Sequence, residues 1–311
     1  MSILNNLNEK NISSNSLNLY TKNLMRLNDN KEIKNFTFLK NIPTILDKIK
    51  DYKPNTRRTY LISIVSLLKQ EPKLKKLYDE YYKILLEYNK NLKSNTEKSE
   101  TQQENWISQE DVLKKQQELM SILKEIEGKT KITADQYYKL FDLLVLSLYT
   151  LNSPRRNLDY LKMNVVNKYS DDLPTNNNYL DLPNRQFIFR NYKTKKTYTD
   201  QVVPINDDLF NIIKVFLKYH PLKKLIKGKY NIPLLVNYIE QPLNNSNEIT
   251  RTLNKIFGKK IGSSMLRNIF LTSKYGDDMQ QLQEDTTNMG TSLGTAQNNY
   301  IKTNSHVVNL M

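Results

Sequence analysis

The spacing of apolar residues in the first ninety positions is typical of short amphipathic helices. Ser13 to Ser16 can cap a helix that runs through about Leu27, since a serine side chain accepts a hydrogen bond from an N–H of the first turn. Asn41 followed by Pro43 predicts a second helix, because proline lacks an N–H that the first turn leaves unpaired anyway.

Two more helices are predicted to open at Thr56 and at Pro72. Each carries apolar residues three and four positions apart, which places them on one face. The two stripes are Leu61, Ile64, Val65 and Leu68, then Leu74, Leu77, Tyr78, Tyr81 and Leu85. The pattern therefore predicts a helical bundle as a first domain over residues 1–92.

A hydrophilic stretch follows this predicted bundle. Residues 89–105 contain one apolar side chain, Leu92, and cannot build a core of their own. We interpret residues 93–105 as a polar linker and residues 106–311 as a second domain that begins at Trp106. A chain of 311 residues is long enough for two domains.

The second domain is predicted to be mainly helical with one small antiparallel sheet. Ser108 is a plausible helix N-cap, and Thr133 with Gln136 has the spacing of a capping box. The helix after Thr133 is apolar almost all round, so it should be buried, and it should end before Pro154. Strands are expected over 179–182, 186–191 and 200–205, with possible extra strands near Val165 and Leu234, and helices resume at Asn206. The expected fold class is α+β.

The net charge of +15 favours a polyanionic partner such as nucleic acid. The basic excess is denser in residues 1–100, which carry 19 basic and 11 acidic side chains. With no cysteine and only two histidines, neither a disulfide framework nor a His-built zinc site is expected, and no cofactor is predicted. No apolar run reaches membrane-spanning length and the first residues lack a signal-peptide pattern, so we expect an intracellular protein without membrane contact.

Arginine is scarce, at nine of the 47 basic residues. A guanidinium binds a phosphate through two parallel hydrogen bonds, which a lysine ammonium cannot form. Arg155, Arg156 and Arg267 stand where one predicted element ends and another begins, which singles them out as candidate phosphate ligands.

The segment YTLNSPRRNLDYLKM over 149–163 resembles the first arginine box of the tyrosine recombinases, in which an arginine follows a buried helix and an acidic residue stands three positions on. Arg156 with Asp159 fits that register. Arg155 is the rival, although it would place Leu158 at the acidic position.

Two later segments resemble the other boxes of the same family. SSMLRNIF over 263–270 resembles the helical His-x-x-Arg box, with Arg267 as the arginine and Ser264 in place of the histidine. MGTSLGTAQNNYIK over 289–302 resembles the box in which a Gly-His pair precedes the nucleophilic tyrosine by nine residues. There Thr291 stands in the histidine position and Tyr300 in that of the nucleophile.

The segment FRNYKTKKTYTDQVVPI over 189–205 resembles the hairpin that carries the family's catalytic lysine. Lys193 is in the expected place, and Lys195 and Lys196 are alternatives. Residues 13–92 loosely resemble the family's helical core-binding domain, whose outward face is expected to present Lys53, Arg57 and Arg58 to DNA, beside Tyr52 and Tyr60. Arg155, Lys195 and Lys196 are also expected to contact DNA.

The resemblance implies a site-specific recombinase or integrase of a virus or mobile element, which cuts and rejoins double-stranded DNA through a 3′-phosphotyrosine on Tyr300. It implies catalysis by Arg156, Lys193, Ser264, Arg267, Thr291 and Tyr300 without a metal, ATP or other cofactor. The expected assembly is a homotetramer on paired sites, with accessory proteins as further possible partners. The alternatives are an inactive DNA-binding relative, because both family histidines are replaced, and an activity like that of type IB topoisomerases. A metal-dependent transposase would need three converging carboxylates, and the acidic pairs of this chain fall at turns and helix starts instead.

Overall fold

The computed structural model describes residues 12–69, 71–93, 98–195, 197–227 and 231–301. The chain divides into two compact units between Lys98 and Ser99. None of the helices in these ranges combines the length and the apolarity that crossing a bilayer requires.

The first unit is helical, as predicted. Its helices are α1 (Ser14–Leu27), α2 (Ile42–Ile49), α3 (Pro54–Leu68) and α4 (Lys75–Lys93), with short 3-10 turns over Thr37–Leu39 and Pro72–Leu74. The predicted caps are confirmed, because the Ser13 and Asn41 side chains each accept a hydrogen bond from the backbone N–H of the third residue of α1 and α2. Helix α3 begins two residues before the predicted Thr56, because Pro54 fills its first turn.

The core of the first unit forms where α1, α3 and α4 pack together. The predicted stripe of α3 is buried, with Leu61, Ile64, Val65 and Leu68 at most 9% exposed. The buried Tyr81 hydroxyl donates to the Leu39 carbonyl at 2.9 Å, and Asn23 donates to the Ser63 hydroxyl at 3.1 Å. One orientation was predicted wrongly: Tyr60, expected on the outward face, is only 2% exposed.

Part of the predicted linker is helical. Helix α5 (Glu100–Asn105) begins at Ser99, which shares a capping box with Gln102. Helix α5 belongs to the second unit, and its last residue is anchored there because the Asn105 side chain accepts a hydrogen bond from the Lys260 N–H at 2.9 Å. An almost wholly polar sequence thus forms a helix through its cap rather than through an apolar face.

The second unit is built around one buried helix. Helices α6 (Gln109–Leu119) and α7 (Ser121–Glu125) precede α8 (Ala134–Thr150), which begins with the predicted Thr133–Gln136 capping box. Twelve residues of α8 are buried. Helices α6, α10 (Asp207–Tyr219) and α12 (Ser246–Phe257) pack against it.

The sheet has five strands in the order β4-β3-β2-β1-β5. They are β1 (Met163–Val166), β2 (Asn178–Asp181), β3 (Gln186–Phe189), β4 (Gln201–Pro204) and β5 (Ile232–Pro233). The expected antiparallel sheet is corrected to a mixed one, because β1 pairs in parallel with β2, Met163 opposite Asn178. The segment between β1 and β2 is long enough to return the chain to the same end of the sheet, which an antiparallel hairpin does not require. The α+β class is confirmed.

The described chain ends in helices. Helix α9 (Asn157–Leu161) lies between α8 and β1, and α11 (Lys223–Lys227) lies between α10 and β5. Helix α13 (Ser263–Asn288) is the longest, at 26 residues, and is followed by α14 (Leu293–Thr295) and a π-helical turn over Ala296–Tyr300. The start of α13 is packed through Met265, Leu266 and Ile269, whereas beyond Phe270 the helix is largely exposed to solvent.

Candidate functional site

Arg156 stands at the amino end of α9, directly after the chain leaves the buried helix α8. Its extended backbone makes it the N-cap residue, and its carbonyl accepts a hydrogen bond from the Asp159 N–H at 3.0 Å. The residue is half-buried, and its guanidinium forms no hydrogen bond or ion pair within the described residues. All five of its N–H donors are therefore open to a ligand.

Arg155, the rival for this position, is engaged with the protein itself. Its guanidinium lies 3.6 Å from the centre of the Phe189 ring and donates to the carboxylate of Asp159 at 3.0 Å and to Gln201 at 2.9 Å. These contacts tie α9 to strands β3 and β4. The geometry favours Arg156 over Arg155 as a phosphate ligand, while the expected DNA contact of Arg155 stays a prediction.

Asp159 is a buried carboxylate between the two arginines. Burial raises its pKa, and the nearby positive charges of Arg155 and Arg156 oppose that rise. One of its oxygens accepts from Arg155, while the other, Oδ1, is buried without a hydrogen-bond partner. Asp159 thus contributes negative charge beside Arg156 without occupying the guanidinium of that arginine.

Arg267 comes from the second turn of α13, more than a hundred residues after Arg156. Its Nε donates to the Ser263 carbonyl at 3.3 Å and its Nη2 to the Ser264 hydroxyl at 3.1 Å. Partial burial lowers the pKa of Arg267, and the positive charge of Arg156 lowers it further. The fold thus brings these two predicted arginines close enough to repel each other, which a bound anion would relieve.

A buried polar network that the sequence did not predict supports the arginine pair. The Tyr149 hydroxyl donates to Asn157 Oδ1 at 2.7 Å, and the Asn157 amide donates to the Ser246 carbonyl at 3.0 Å and to the Thr250 hydroxyl at 2.9 Å. Burial holds the pKa of Tyr149 well above its ordinary value, so its hydroxyl keeps the proton that it donates. The one sequence signal was the position of Asn157 directly after the arginines.

Ser264 and Thr291, the two residues in place of the family histidines, lie apart. Ser264 is exposed and contacts Arg267 through its hydroxyl. Thr291 follows the carboxyl end of α13, where Gly290 has a φ of +67° and the Thr291 N–H donates to the Thr286 carbonyl at 2.9 Å. The helical rise places that end about 30 Å along α13 from Arg267.

Tyr300 ends the π-helical turn and is 61% exposed. Within the described residues no hydrogen bond or electrostatic interaction joins its hydroxyl to Arg156 or Arg267. The structure therefore brings together Arg156, Ser264 and Arg267, and does not bring Thr291 or Tyr300 to them.

The predicted lysines follow β3, in the loop that leads to β4. Lys193 is exposed, and its ammonium forms no hydrogen bond or ion pair within the described residues, whereas Lys195 forms an ion pair with Asp200. Lys196 lies outside the described residues. Arg190 anchors the loop, since it pairs with Asp200 at 3.2 Å and donates to the carbonyls of Asp171 and Leu173. Lys193 is the freer of the two described lysines.

The basic residues predicted to bind DNA in the first unit cluster near the start of α3. Lys53 is the N-cap residue of α3 and is exposed, while Arg57 and Arg58 are half-buried. Arg57 donates to the Tyr52 carbonyl at 2.6 Å, and Arg58 donates to Asn89. Each guanidinium keeps N–H groups that these hydrogen bonds do not use.

The described residues contain no group of three or more histidine, cysteine, aspartate or glutamate side chains that could hold a metal ion. Asp277 and Asp278, one of the acidic pairs weighed for a transposase, lie within α13 rather than at a turn or helix start. A scan against protein-family models, a search of curated proteins and a search of solved structures each found no match to this chain.

Proposed function

We propose that this protein is a tyrosine recombinase that cleaves and rejoins double-stranded DNA through a covalent bond between Tyr300 and a 3′-phosphate. The observation that carries the proposal is the pairing of Arg156 and Arg267. Asn157, which follows Arg156, bonds to Thr250, and Thr250 lines the same cavity as Ser264, the residue that Arg267 contacts. The fold thus brings two half-buried arginines from distant parts of the sequence to neighbouring places, and Arg156 has no hydrogen-bonding or ion-pairing partner among the described residues.

The chemistry of a phosphodiester fits this pair. Attack at phosphorus builds negative charge on two non-bridging oxygens, and two guanidinium groups aimed at those oxygens stabilise the transition state more than the ground state. The Tyr300 hydroxyl releases its proton to solvent as its oxygen bonds to phosphorus and the bond to the 5′-oxygen breaks. Lys193 donates a proton to the leaving 5′-oxygen and regains one from solvent. Because the phosphotyrosine keeps the energy of the broken ester, rejoining requires no ATP.

Tyr300 has to approach the arginine pair for this reaction. The turn at Gly290 separates α13 from the segment that carries Tyr300, and rearrangement there on DNA, or supply of Tyr300 by another copy, would bring the hydroxyl to the phosphate. The proposed assembly is four copies on two paired DNA sites, with accessory proteins as further partners. Docking of residues 305–311 on a neighbouring copy is part of the same proposal, and these residues lie outside the described ranges.

The second candidate is a DNA-binding relative without activity. Two observations favour it: the exposed Tyr300 lies apart from the arginines, and Ser264 and Thr291 replace charged histidines with neutral hydroxyls.

A suicide substrate separates the two candidates. Incubation with nicked duplexes of varied sequence, denaturation and mass spectrometry should identify a covalent adduct on Tyr300 for a recombinase. Tyr300→Phe should keep DNA affinity and lose the adduct, and Tyr275→Phe, another exposed tyrosine, is the matched control. DNA binding without an adduct would establish the second candidate. Relaxation of supercoiled DNA without paired sites would instead indicate a topoisomerase.

A further inference from the structure

A cavity of about 330 Å³ lies at the amino end of α13, next to the contact between Arg267 and Ser264. Its polar walls come from α5, α12, the loop before α13 and the first turns of α13 itself. They include Gln102, Thr250, Lys260, Ser263, Ser264 and Asn268. Among the described residues no carboxylate lines the cavity, and the one formal charge they bring to it is the positive charge of Lys260.

The helix that opens on this cavity begins without a cap. Gly262 stands in the N-cap position and offers no side chain, and the first turn holds no acidic residue. The N–H groups of residues 263–265 precede the first hydrogen bond of the helix, which Leu266 donates to the Gly262 carbonyl. The amino end of a helix of 26 residues thus presents unpaired donors and partial positive charge to the cavity.

Ser263 gives independent evidence for a ligand. This residue is 92% buried and lines the cavity, and within the described residues its hydroxyl makes no hydrogen bond. Its oxygen is not one of the buried unpaired side-chain atoms, so the hydroxyl opens on the cavity. It is therefore placed to donate to a group bound there.

We propose that this cavity is a second phosphate site, distinct from the arginine pair. The backbone N–H groups, the Ser263 hydroxyl and the Lys260 ammonium donate to the phosphate oxygens. The assignment of that phosphate to DNA rests on the proposed function. Ser263 lies one helical turn before Arg267, so the site would hold the phosphate next to the one that is cleaved. Such a contact fixes the register of the strand on the enzyme.

Inorganic phosphate tests the site without DNA. Titration of the ¹⁵N-labelled full-length protein should shift the amide signals of residues 263–265, and equal ionic strength from sodium chloride should not. Lys260→Ala should weaken phosphate binding at least fivefold. Lys259→Ala removes a neighbouring exposed lysine that does not line the cavity, and should change binding less than twofold. Equal effects of the two substitutions, or no shift in the first turn of α13, would overturn the site.

DNA binding tests the source of the phosphate. Lys260→Ala should reduce the slope of log K against log salt by about one, since one phosphate contact is lost, and Lys259→Ala should leave the slope unchanged. A response to free phosphate with no change in the slope for Lys260→Ala would overturn the assignment to DNA.

The adduct assay on Tyr300 separates this inference from the proposed function. A phosphate site in a protein that forms no adduct refutes recombination and supports the site. If the adduct forms but phosphate does not shift the amide signals of residues 263–265, the phosphate site is refuted and the proposed function stands. Because the Lys260 side chain is exposed, its substitution leaves the packing intact, and a loss of phosphate binding reports on the site itself.

Discussion

Substitution of Asn157 should displace the arginine pair while leaving both arginine side chains in the protein. Its side chain makes three hydrogen bonds, to Tyr149, Ser246 and Thr250, and is 7% exposed. Asn157→Ala removes all three. At about 1 kcal/mol for each hydrogen bond, the loss is roughly 3 kcal/mol of unfolding free energy.

The actual loss of unfolding free energy depends on whether the former partners of Asn157 find other hydrogen bonds. The Ser246 carbonyl still accepts from the Thr250 hydroxyl at 3.4 Å, so it is not left alone. The Tyr149 hydroxyl has no such substitute and stays buried without an acceptor. We therefore expect a loss of about 3–4 kcal/mol for Asn157→Ala, and about 1–1.5 kcal/mol for Tyr149→Phe.

Urea unfolding followed by circular dichroism measures these losses. The first unit contains neither residue, so its transition is the internal control in the same protein. A double-mutant cycle between Asn157→Ala and Tyr149→Phe should give a coupling energy of about 1 kcal/mol. A loss below 1 kcal/mol for Asn157→Ala, or no coupling in the cycle, would show that the network does not hold α9 in place.

Ser264→Ala should slow DNA cleavage with little change in affinity, because it removes one hydroxyl beside Arg267. Ser264→His should raise the cleavage rate, and more so at acid pH, where imidazole is charged. If Ser264→Ala cleaves as fast as the parent protein in single-turnover assays, Ser264 has no role in cleavage. Removing residues 1–98 keeps the Ser99 capping box and should flatten the salt dependence of DNA binding, whereas an unchanged slope would mean that the first unit contributes no phosphate contacts. Burial lowers the pKa of His220 from 6.5 to about 4. Between these two pH values the unfolded chain binds a proton that the folded protein does not. The free energy of unfolding should therefore fall by up to about 3 kcal/mol as the pH drops from 6.5 towards 4. His220→Asn should remove that part of the pH dependence in urea titrations, and equal pH profiles for variant and parent would contradict the assignment.

Local patterns predicted the elements well, because caps and periodic burial depend on neighbouring residues. The Thr133 capping box, the buried helix α8 and the start of a helix at Asn206 were all predicted from the sequence. The parallel pairing of β1 with β2 could not be predicted from the sequence, since the relative direction of two strands depends on the path of the segment between them. The helix over Glu100–Asn105 was missed because it has no apolar stripe.

The candidate site was predictable in its two arginines and Ser264. Arg156 and Arg267 stood out because arginine is rare in this chain and because each falls in a segment that resembles an arginine box. Their supporting network did not stand out, because Tyr149 is one of twenty tyrosines and Asn157 is an ordinary polar residue. The engagement of Arg155 with Phe189 and Gln201 also depends on strands far along the chain, so spacing alone left the two arginines as rivals.

The sheet has a consequence for the order in which the chain folds. Strand β1 pairs with β5 about seventy residues later, Asn164 opposite Pro233, and the Tyr137 hydroxyl bonds to the Val236 carbonyl 99 residues away. In the first unit the comparable links, Asn23 to Ser63 and Tyr81 to Leu39, span 40 and 42 residues. Closing long loops before contacts form slows folding. The helical unit is therefore expected to fold first as the chain leaves the ribosome, and the second unit is expected to complete its fold only after β5 has been synthesised.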